Sequence, residues 1–559
     1  MMGIILPVRM LAAGPFPASA LPGIRYEGSK ACASCHRAIY DKFLRTSMGR
    51  SVTPAAATAT LLPAVVNLPS LNRRLEVFSR DGQVFQSELE TQSGKRVFSS
   101  EHPLKWAIGS GDNGITYAVS RNGYLFEAPL SFYTKTQGWD LSPGHQTSDE
   151  GFSRPIAAEC VVCHTGRAVP VPGQMNRYAE PPFAEAAIGC ENCHGPGQLH
   201  VAERKRGPGR LPDSSIVNPA RLAPRLAEDI CMMCHQAGQV RALLPGKEYA
   251  DFRPGTPLIN TVAIAELAGT AKDSALLEHH DSMQLSRCFE AGRGKLSCLT
   301  CHDPHEQPAS AAAPQYFRAK CLTCHTASSC RLSLEKRNAS SPPDNCIGCH
   351  MPRRDVGLIS HSALTDHTIP RVPGQLRPNS LPSTGGVPGV RIVNAAAGTP
   401  PLPLLTRLEL AGTLRDREPQ MESAYMALLA EAERAFPSDP LVLAILGRRA
   451  LAANHPDAAE ILAKAEKAEA DRKGAAREST CIDLGEALRR AGRAAEAVAA
   501  LERGQTAFPW SKDVRKRLVL ALIQAKDYAK AGVALKAYVA EFPEDSFLRG
   551  LLNQLESGR

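Results

Sequence analysis

The sequence predicts a mainly α-helical protein. It has a loop-rich N-terminal domain, a small antiparallel β-sheet inserted into that domain, and a C-terminal α-solenoid. Three observations lead to this prediction. The pentapeptide Cys-x-x-Cys-His occurs seven times, always before Met351. Two hairpin signals lie between its first and second copies, and the C-terminal residues repeat with a period of 34.

The composition sets the limits for this interpretation. The chain has 559 residues, which is enough for two or more domains of ordinary size. Hydrophobic residues make up 43% of it but aromatic residues only 5%, so we expect something other than aromatic side chains to fill part of the interior. The formal net charge is +9, yet the densest basic run is only Arg204-Lys205-Arg206. Nucleic acid is therefore not an expected partner.

Residues 1–24 are predicted to be a leader segment. They contain Arg9, a short apolar stretch, and Ala18-Ser19-Ala20, which has the A-x-A form of a signal-peptidase cleavage site. We therefore expect an exported protein, either periplasmic or extracellular. No run of 18 or more apolar residues occurs elsewhere, so no transmembrane segment is expected.

Fourteen of the 17 cysteines belong to the seven Cys-x-x-Cys-His motifs. Two thiols three positions apart on a helical turn can form thioether bonds to the two vinyl groups of one haem, and the following histidine then lies under the iron. The motifs thus predict seven covalently attached haem c groups. The thioether cysteines are Cys32, Cys35, Cys160, Cys163, Cys190, Cys193, Cys231, Cys234, Cys298, Cys301, Cys321, Cys324, Cys346 and Cys349. The proximal iron ligands are His36, His164, His194, His235, His302, His325 and His350.

Two other kinds of site use closely spaced cysteines. A redox-active Cys-x-x-Cys disulfide occurs singly within an α/β fold, and structural zinc is bound by pairs of Cys-x-x-Cys knuckles or by a knuckle with two distant histidines. Neither explains why a histidine follows the second cysteine in all seven copies. Haem attachment of this kind takes place outside the cytoplasm, which agrees with the predicted export.

Residues 73–141 are predicted to form the inserted sheet. Asp81-Gly82 and Asn122-Gly123 each lie between runs of strand-forming residues. These dipeptides favour the two-residue turns of β-hairpins, because both of their residues accept a positive φ.

The composition changes after His367. Residues 373–404 are rich in proline and glycine and are predicted to be a linker, and residues 405–559 have helical periodicity. Residues 484–501 align with residues 518–535 at an offset of 34, and a Phe-Pro pair closes each unit. This pattern is typical of tetratricopeptide repeats, so we expect about three units and a terminal helix. An unrelated helical bundle is the alternative.

Function depends on the ligand at the other face of each iron, because a second protein ligand favours electron transfer and an open face permits substrate chemistry. His455 lies among the helical repeats, which leaves eight histidines outside the motifs as candidates: His102, His145, His200, His279, His280, His305, His361 and His367. His200 and His305 follow their own motifs too closely to bind the same haem from the far side, but each can reach a neighbouring haem. Met48 follows the first motif and is either a thioether ligand or a packing residue.

Residues 25–370 resemble multihaem cytochromes of the c-552/c-554 type, in the subgroup with a C-terminal tetratricopeptide domain. The similarity lies in segments 26–40, 189–200, 299–305, 349–352 and 365–367, which include Cys-His-Gly-Pro-Gly-Gln-Leu-His and Cys-His-Met-Pro. The resemblance implies that His200, His305 and His367 are distal ligands, and it also favours His280. Many relatives have Ser-x-His after the first motif, where this chain has Ser47-Met48. The candidate distal ligands are Met48, His145, His200, His280, His305, His361 and His367.

The leading functional hypothesis is an electron carrier that transfers electrons between redox partner proteins, with the repeats providing protein–protein contacts. The alternative is a multihaem oxidoreductase that acts on a nitrogen or sulfur oxyanion at one open haem. A scaffold in which haems only fill space is a third hypothesis. Outside the motifs, Cys288 and Cys330 could form a disulfide in an exported chain. Cys481 is expected to be buried among the repeats.

Overall fold

The computed structural model describes residues 17–171, 174, 176–208, 213–236, 238–268, 279–292, 295–353, 365–372, 385–396, 398–471 and 477–557. Most of the predicted leader, most of the predicted linker and His361 lie outside these ranges. The described residues contain 21 α-helices and 15 β-strands. Among them, no helix has both the length and the apolar character needed to cross a membrane.

Short helices characterise the part of the chain that contains the motifs. They are α1 (Ser29–Ala33), α2 (Arg37–Phe43), α3 (Ala158–His164), α4 (Glu191–His194), α5 (Gln198–Arg206), α6 (Pro224–His235), α7 (His279–Gln284), α8 (Arg287–Gly292), α9 (Cys298–Cys301), α10 (Ala313–Cys321), α11 (Leu334–Asn338) and α12 (Cys346–His350). A helix contains or borders each of the seven motifs.

The strands form three sheets. The first sheet contains β1 (Val52–Pro54), β2 (Ala64–Leu68), β3 (Arg73–Arg80), β4 (Gln83–Gln92), β5 (Lys95–Ile108), β6 (Gly114–Arg121), β7 (Tyr124–Glu127), β8 (Leu130–Tyr133), β9 (Gly138–Leu141) and β10 (Arg154–Pro155). The second contains β11 (Arg167–Pro170) and β12 (Tyr178–Glu185), and the third contains β13 (Val240–Leu243), β14 (Val262–Leu267) and β15 (Val390–Ile392).

Both predicted hairpins are present in the first sheet. Arg80 pairs with Gln83 around Asp81-Gly82, and Arg121 pairs with Tyr124 around Asn122-Gly123. All four turn residues have positive φ, at 52° and 75° in the first turn and 53° and 82° in the second. These angles are the ones that two-residue hairpin turns require.

The first sheet is larger than the predicted insertion. Its ten strands run in the order β10-β7-β6-β5-β4-β3-β2, with β1 on β5 and β8 between β6 and β9. The sheet therefore extends beyond residues 73–141 at both ends. The added strands are β1, β2 and β10, with three, five and two residues. The strands β1 and β10 are too short for an alternating pattern to mark them in the sequence. The expected mainly α fold is thus only partly correct, because an extensive antiparallel sheet occupies the N-terminal half.

Antiparallel helices build the C-terminal region. They are α13 (Leu404–Arg415), α14 (Glu422–Ala435), α15 (Pro440–Ala452), α16 (Ala458–Ala470), α17 (Glu478–Arg490), α18 (Ala494–Ala507), α19 (Lys512–Gln524), α20 (Tyr528–Glu541) and α21 (Ser546–Glu556). Helices α17, α19 and α21 begin 34 residues apart, as the repeat predicts. The described residues contain four helix pairs and a terminal helix, one pair more than the sequence indicated.

Small residues let the repeat helices approach closely, and side chains cap their first turns. A Cβ atom added at Gly485 would lie 2.7 Å from side-chain atoms of Leu501, which leaves no space for a larger residue at this crossing. Ser511, Asp527 and Asp545 each accept a hydrogen bond from a backbone N–H in the first turn of α19, α20 and α21. Such caps satisfy N–H groups that have no partner within the helix.

The repeat helices share hydrophobic cores with the N-terminal half. Helices α13 and α14 pack with the third sheet, and Cys481, Phe508 and Trp510 pack with residues of the first sheet such as Val77 and Tyr117. Arg549 of α21 also forms an ion pair of 2.7 Å with Glu90 of β4, where the repeats contact the first sheet. The repeats are therefore docked on both sheets.

Phe508 provides a test of this docking. Its side chain is 3% exposed in the shared core, so Phe508→Ala should lower the free energy of unfolding by about 3–5 kcal/mol. Phe547 is 60% exposed on α21, so Phe547→Ala should change the same quantity by less than about 0.5 kcal/mol. Denaturant unfolding of the two variants gives the comparison. If Phe508→Ala lowers the free energy of unfolding no more than Phe547→Ala does, the core between the repeats and the sheet does not contribute to stability.

Candidate haem-binding sites

Each motif has a backbone conformation that directs its three functional side chains the same way. The histidine N–H donates to the carbonyl oxygen of the first cysteine, closing one helical turn. This bond measures 2.8 Å in the first motif and 3.0 Å in the third, fifth and sixth motifs. Residues i, i+3 and i+4 share one helix face. The two thiols and the imidazole of a motif therefore lie on one side, as attachment of a single haem requires.

Polar side chains fix the start of several of these turns. In the fifth motif Ser297 and Thr300 form a reciprocal capping box. In the seventh motif Asn345 Oδ1 accepts a hydrogen bond of 3.0 Å from the Gly348 N–H. Helices of four or five residues have little stability of their own, so caps of this kind contribute a large part of what holds them.

Four proximal histidines lie opposite a second histidine. A metal–imidazole bond is about 2 Å long and the ring centre lies about 1 Å beyond the nitrogen, so two imidazoles on opposite sides of one metal ion have centres about 6 Å apart. The ring centres are 6.3 Å apart for His36 and His200, 5.9 Å for His194 and His305, 6.1 Å for His235 and His279, and 6.3 Å for His302 and His367. These residues fit a haem iron with an imidazole on each face.

The hydrogen bonds of the other ring nitrogen agree with this assignment. Nδ1 donates to a backbone carbonyl oxygen in three histidines and to a carboxylate in a fourth. The pairs are His194–Val217 O at 2.8 Å, His350–Pro370 O at 2.8 Å, His367–Thr365 O at 2.8 Å and His200–Asp213 Oδ2 at 2.7 Å. An acceptor at Nδ1 places the proton there and leaves Nε2 available to a metal, which is the usual arrangement of ligating histidines.

The pKa of several of these imidazoles is lowered, which favours their neutral form. Burial, together with the neighbouring histidines, lowers the pKa of His279 to about 3 and that of His302 to about 4. Burial also lowers the pKa of His194 and His235. The neutral imidazole is the form that binds a metal.

The ring centre of His279 lies 6.1 Å from that of His235 and 4.6 Å from that of His367. Ligation by His280 stays a prediction, because its side chain has other partners. The His280 side chain is 3% exposed and its Nε2 lies 3.2 Å from Glu228 Oε2. Burial alone would lower its pKa, but Asp281 and Glu228 outweigh this effect and raise it. Successive residues of a helix point about 100° apart. Only one of two adjacent histidines on α7 can therefore turn towards the motif, and the resemblance favoured His280.

The remaining candidates lie elsewhere. Met48 begins a short 3-10 helix after α2, and its ligation stays a prediction, while the ring centre of His200 lies 6.3 Å from that of His36. His145 is 3% exposed within its side chain and lies 4.0 Å from Glu127, and burial lowers its pKa to about 4. His102 packs on Phe152 with ring centres 4.3 Å apart. His361 lies outside the described residues.

The paired histidines cross between motifs. His200 follows the third motif and lies opposite the proximal histidine of the first, and His305 follows the fifth motif and lies opposite that of the third. These positions fit the predicted crossing, and ligation by His200 and His305 stays a prediction. A histidine that follows one motif thus lies close to the proximal histidine of another motif.

The thiols of different motifs are also close to one another. Hydrogen bonds from Cys32 to Cys190 and from Cys234 to Cys163 lower the pKa of Cys190 and of Cys163 to about 7. The Cys163 Sγ donates to Met233 O at 3.5 Å, inside the fourth motif. A hydrogen bond with Cys231 raises the pKa of Cys298. Motif one therefore adjoins motif three, and motif four adjoins motifs two and five.

Glu191 is a functional residue that the sequence analysis missed. It lies inside the third motif, is 3% exposed, and accepts backbone hydrogen bonds from Glu27 at 2.9 Å, Gly28 at 2.7 Å and Gly197 at 2.6 Å. Hydrogen bonds to an ionised acceptor are stronger than neutral ones. The carboxylate thus ties the chain before the first motif, and the turn before His200, to the third motif. Its position between two cysteines was the only signal, and that position is variable among the seven motifs.

Cys330 is a free thiol, so the disulfide considered between Cys288 and Cys330 is not present. Cys481 is 5% exposed among the repeat helices, as predicted.

Two protein families match segments of the chain. The family described as cytochrome c554 and c-prime matches residues 138–195, which contain the second and third motifs, and the family described as tetratricopeptide repeat matches residues 488–555. The chain therefore resembles multihaem cytochromes of the c-554 type and carries C-terminal tetratricopeptide repeats, as predicted.

Three solved structures are similar to parts or most of the chain. The outer cell wall cytochrome OcwA is 13% identical with a TM-score of 0.39, over 88% of this chain and 99% of that one. The Cut9–Hcn1 hetero-tetramer of the APC/C is 20% identical with a TM-score of 0.24, and yeast Tom70 is 19% identical with a TM-score of 0.23. Each of these two matches covers 27% of this chain and only 29% and 34% of the other chain, respectively. No curated protein matches the chain.

The adjacent pair His279 and His280 allows a matched test of ligand assignment. His279→Gln should convert one low-spin haem to high spin, because the ring opposite His235 is lost. His280→Gln keeps a hydrogen-bonding side chain beside Glu228 and should leave the number of low-spin haems unchanged. Electron paramagnetic resonance of the oxidised proteins measures both. A change confined to His280→Gln would contradict the assignment.

Proposed function

We propose that this chain is an exported multihaem cytochrome c that carries seven covalently attached haems and transfers electrons between redox partner proteins. The observation that supports this most directly is the set of four histidine pairs, each with ring centres 5.9–6.3 Å apart. A haem bound between two imidazoles supplies a one-electron redox centre. The residues contribute its ligands, its spacing from the next motif and its burial.

The ligand set favours electron transfer over catalysis. With an imidazole on each face, an iron has no position left for a substrate, so the four histidine pairs leave no open site at their motifs. Such a site is what an oxidoreductase of nitrogen or sulfur oxyanions would need. The crossing of His200 and His305 keeps neighbouring motifs together, and short separation between centres is what electron transfer needs.

The tetratricopeptide repeats support a role in protein–protein contact. Part of their surface is taken by the protein's own sheets, since Phe508 and Trp510 pack into the core of the first sheet. We propose that a redox partner docks on the remaining surface. Export to the periplasm or the cell exterior is part of the proposal, because haem attachment at these motifs requires it.

Haem content and spin state test the proposal together. We expect seven haems per chain by pyridine haemochrome, and at least four of them low-spin by electron paramagnetic resonance, one for each histidine pair. Fewer than four low-spin haems would contradict the ligand set. A high-spin signal that changes on addition of nitrite, hydroxylamine or tetrathionate would favour the oxidoreductase instead.

Removal of one attachment site tests the covalent assignment. The double variant Cys190→Ser with Cys193→Ser should carry six haems in place of seven, because neither vinyl group of the third haem can then be bound. Cys481→Ser alters a buried cysteine outside the motifs and should keep all seven. Intact-protein mass spectrometry counts the haems. A full complement in the double variant would refute thioether attachment at this motif.

A further inference from the structure

His200 differs from three other histidines of the haem-binding region in the acceptor of its Nδ1 hydrogen bond. His194, His350 and His367 each donate to a neutral backbone carbonyl at 2.8 Å. His200 donates to the carboxylate of Asp213 at 2.7 Å. It is also the imidazole whose ring centre lies 6.3 Å from that of His36, the proximal histidine of the first motif.

Asp213 is held rigidly and in its ionised form. Its side chain is 14% exposed and forms an ion pair of 2.5 Å with Arg204. The other carboxylate oxygen accepts hydrogen bonds from the Ser215 N–H at 2.8 Å and the Ser215 hydroxyl at 2.5 Å. Oδ2 therefore accepts from both Arg204 and His200, while Ser215 holds Oδ1, so the contact with His200 does not depend on a mobile side chain.

A carboxylate that accepts a hydrogen bond from a ligating imidazole changes the reduction potential of the metal. It draws the Nδ1 proton towards itself, so the imidazole becomes a stronger electron donor at Nε2. A more basic ligand and a nearby negative charge both stabilise the oxidised iron over the reduced iron, and hydrogen bonding of this kind is one of the levers by which a protein sets haem potential. Arg204 shares the charge of Asp213 but does not replace the hydrogen bond to His200.

Among the described residues, His305 also lies close to a carboxylate, that of Asp303, but the contact is more exposed. Asp303 Oδ1 lies 3.2 Å from His305 Nδ1, but the two side chains are 48% and 40% exposed. The same oxygen already accepts a hydrogen bond of 2.9 Å from the His305 N–H. Water and salt screen charges at exposed sites, so Asp303 should act more weakly than Asp213.

We propose that Asp213 is a positioning residue that lowers the reduction potential of the haem held between His36 and His200. This inference rests on the proposed function, because it requires an iron between these two imidazoles. It assigns a redox-tuning role to a residue that contacts neither the iron nor the attachment cysteines.

The test is a redox titration of the full, haem-loaded chain, followed by visible absorption. In Asp213→Asn one of the seven reduction steps should move to higher potential, and the low-spin resonance signal of one haem should change. Asp213→Glu restores a carboxylate and should move that step back towards the parent value. Asp303→Asn should shift a different step by a smaller amount.

Asp41→Asn is the matched control. Asp41 lies on α2, five residues after His36, and its carboxylate binds Arg37 at 2.8 Å. This variant removes the same charge near the same motif without touching an imidazole, so the titration should match the parent. Titrations of Asp213→Asn that superimpose on the parent, or an equal shift in Asp41→Asn, would overturn the inference.

His200→Gln separates this inference from the proposed function. If His200 is a ligand, His200→Gln turns one low-spin haem into a high-spin one. When that occurs and Asp213→Asn shifts nothing, only the role of Asp213 is refuted. When His200→Gln leaves all spin states unchanged, the pairing with His36 is itself wrong and both proposals lose their basis. Should Asp213→Asn fail to incorporate haem, the Asp213→Glu titration decides: a partial shift of one step to higher potential supports the inference, and a titration that superimposes on the parent overturns it.

Discussion

The separation between paired imidazoles is the constraint on which the rest of the N-terminal half depends. The ring centres are 5.9–6.3 Å apart, and two of these pairs join motifs that are distant in sequence. Under the proposed function, haem ligands would therefore fix the loops between motifs at both ends. Glu191 reinforces this arrangement from within the third motif, where its carboxylate holds the approach to the first motif and the turn before His200.

The short helices at the motifs follow from the same constraint. Helices α4 and α9 have four residues each, well below the length at which a helix is stable alone. Caps and hydrogen bonds to neighbouring motifs hold them, together with a modest core around Met232, Met233 and Leu258. Under the proposed function, bound haem would add to the stability of this domain, because metal binding energy is also folding energy when ligands come from separate segments.

The C-terminal half is stabilised differently. Its helices pack by periodic apolar positions and small residues at crossings such as Gly485, and this packing continues into both neighbouring sheets. Phe508 closes a repeat unit in the sequence. In the structure it also belongs to the core of the first sheet. The repeats therefore serve as a support for the sheet as well as a surface for partners.

The sequence by itself determined what depends on neighbouring residues: the helical turn of each motif, the Asp-Gly and Asn-Gly hairpins, and the period of 34. Each of these is decided by local hydrogen bonds, by allowed φ values or by residue spacing along one helix. Only the tertiary structure decided which imidazoles lie near each other, including the choice of His279 over His280 beside His235. It also decided how far the first sheet extends and which carboxylate accepts the hydrogen bond of His200. These features depend on contacts across long stretches of chain, such as the bond from Gly28 to Glu191 over 163 residues. Residue types alone do not specify such a contact, because its partners meet only when the intervening chain has folded.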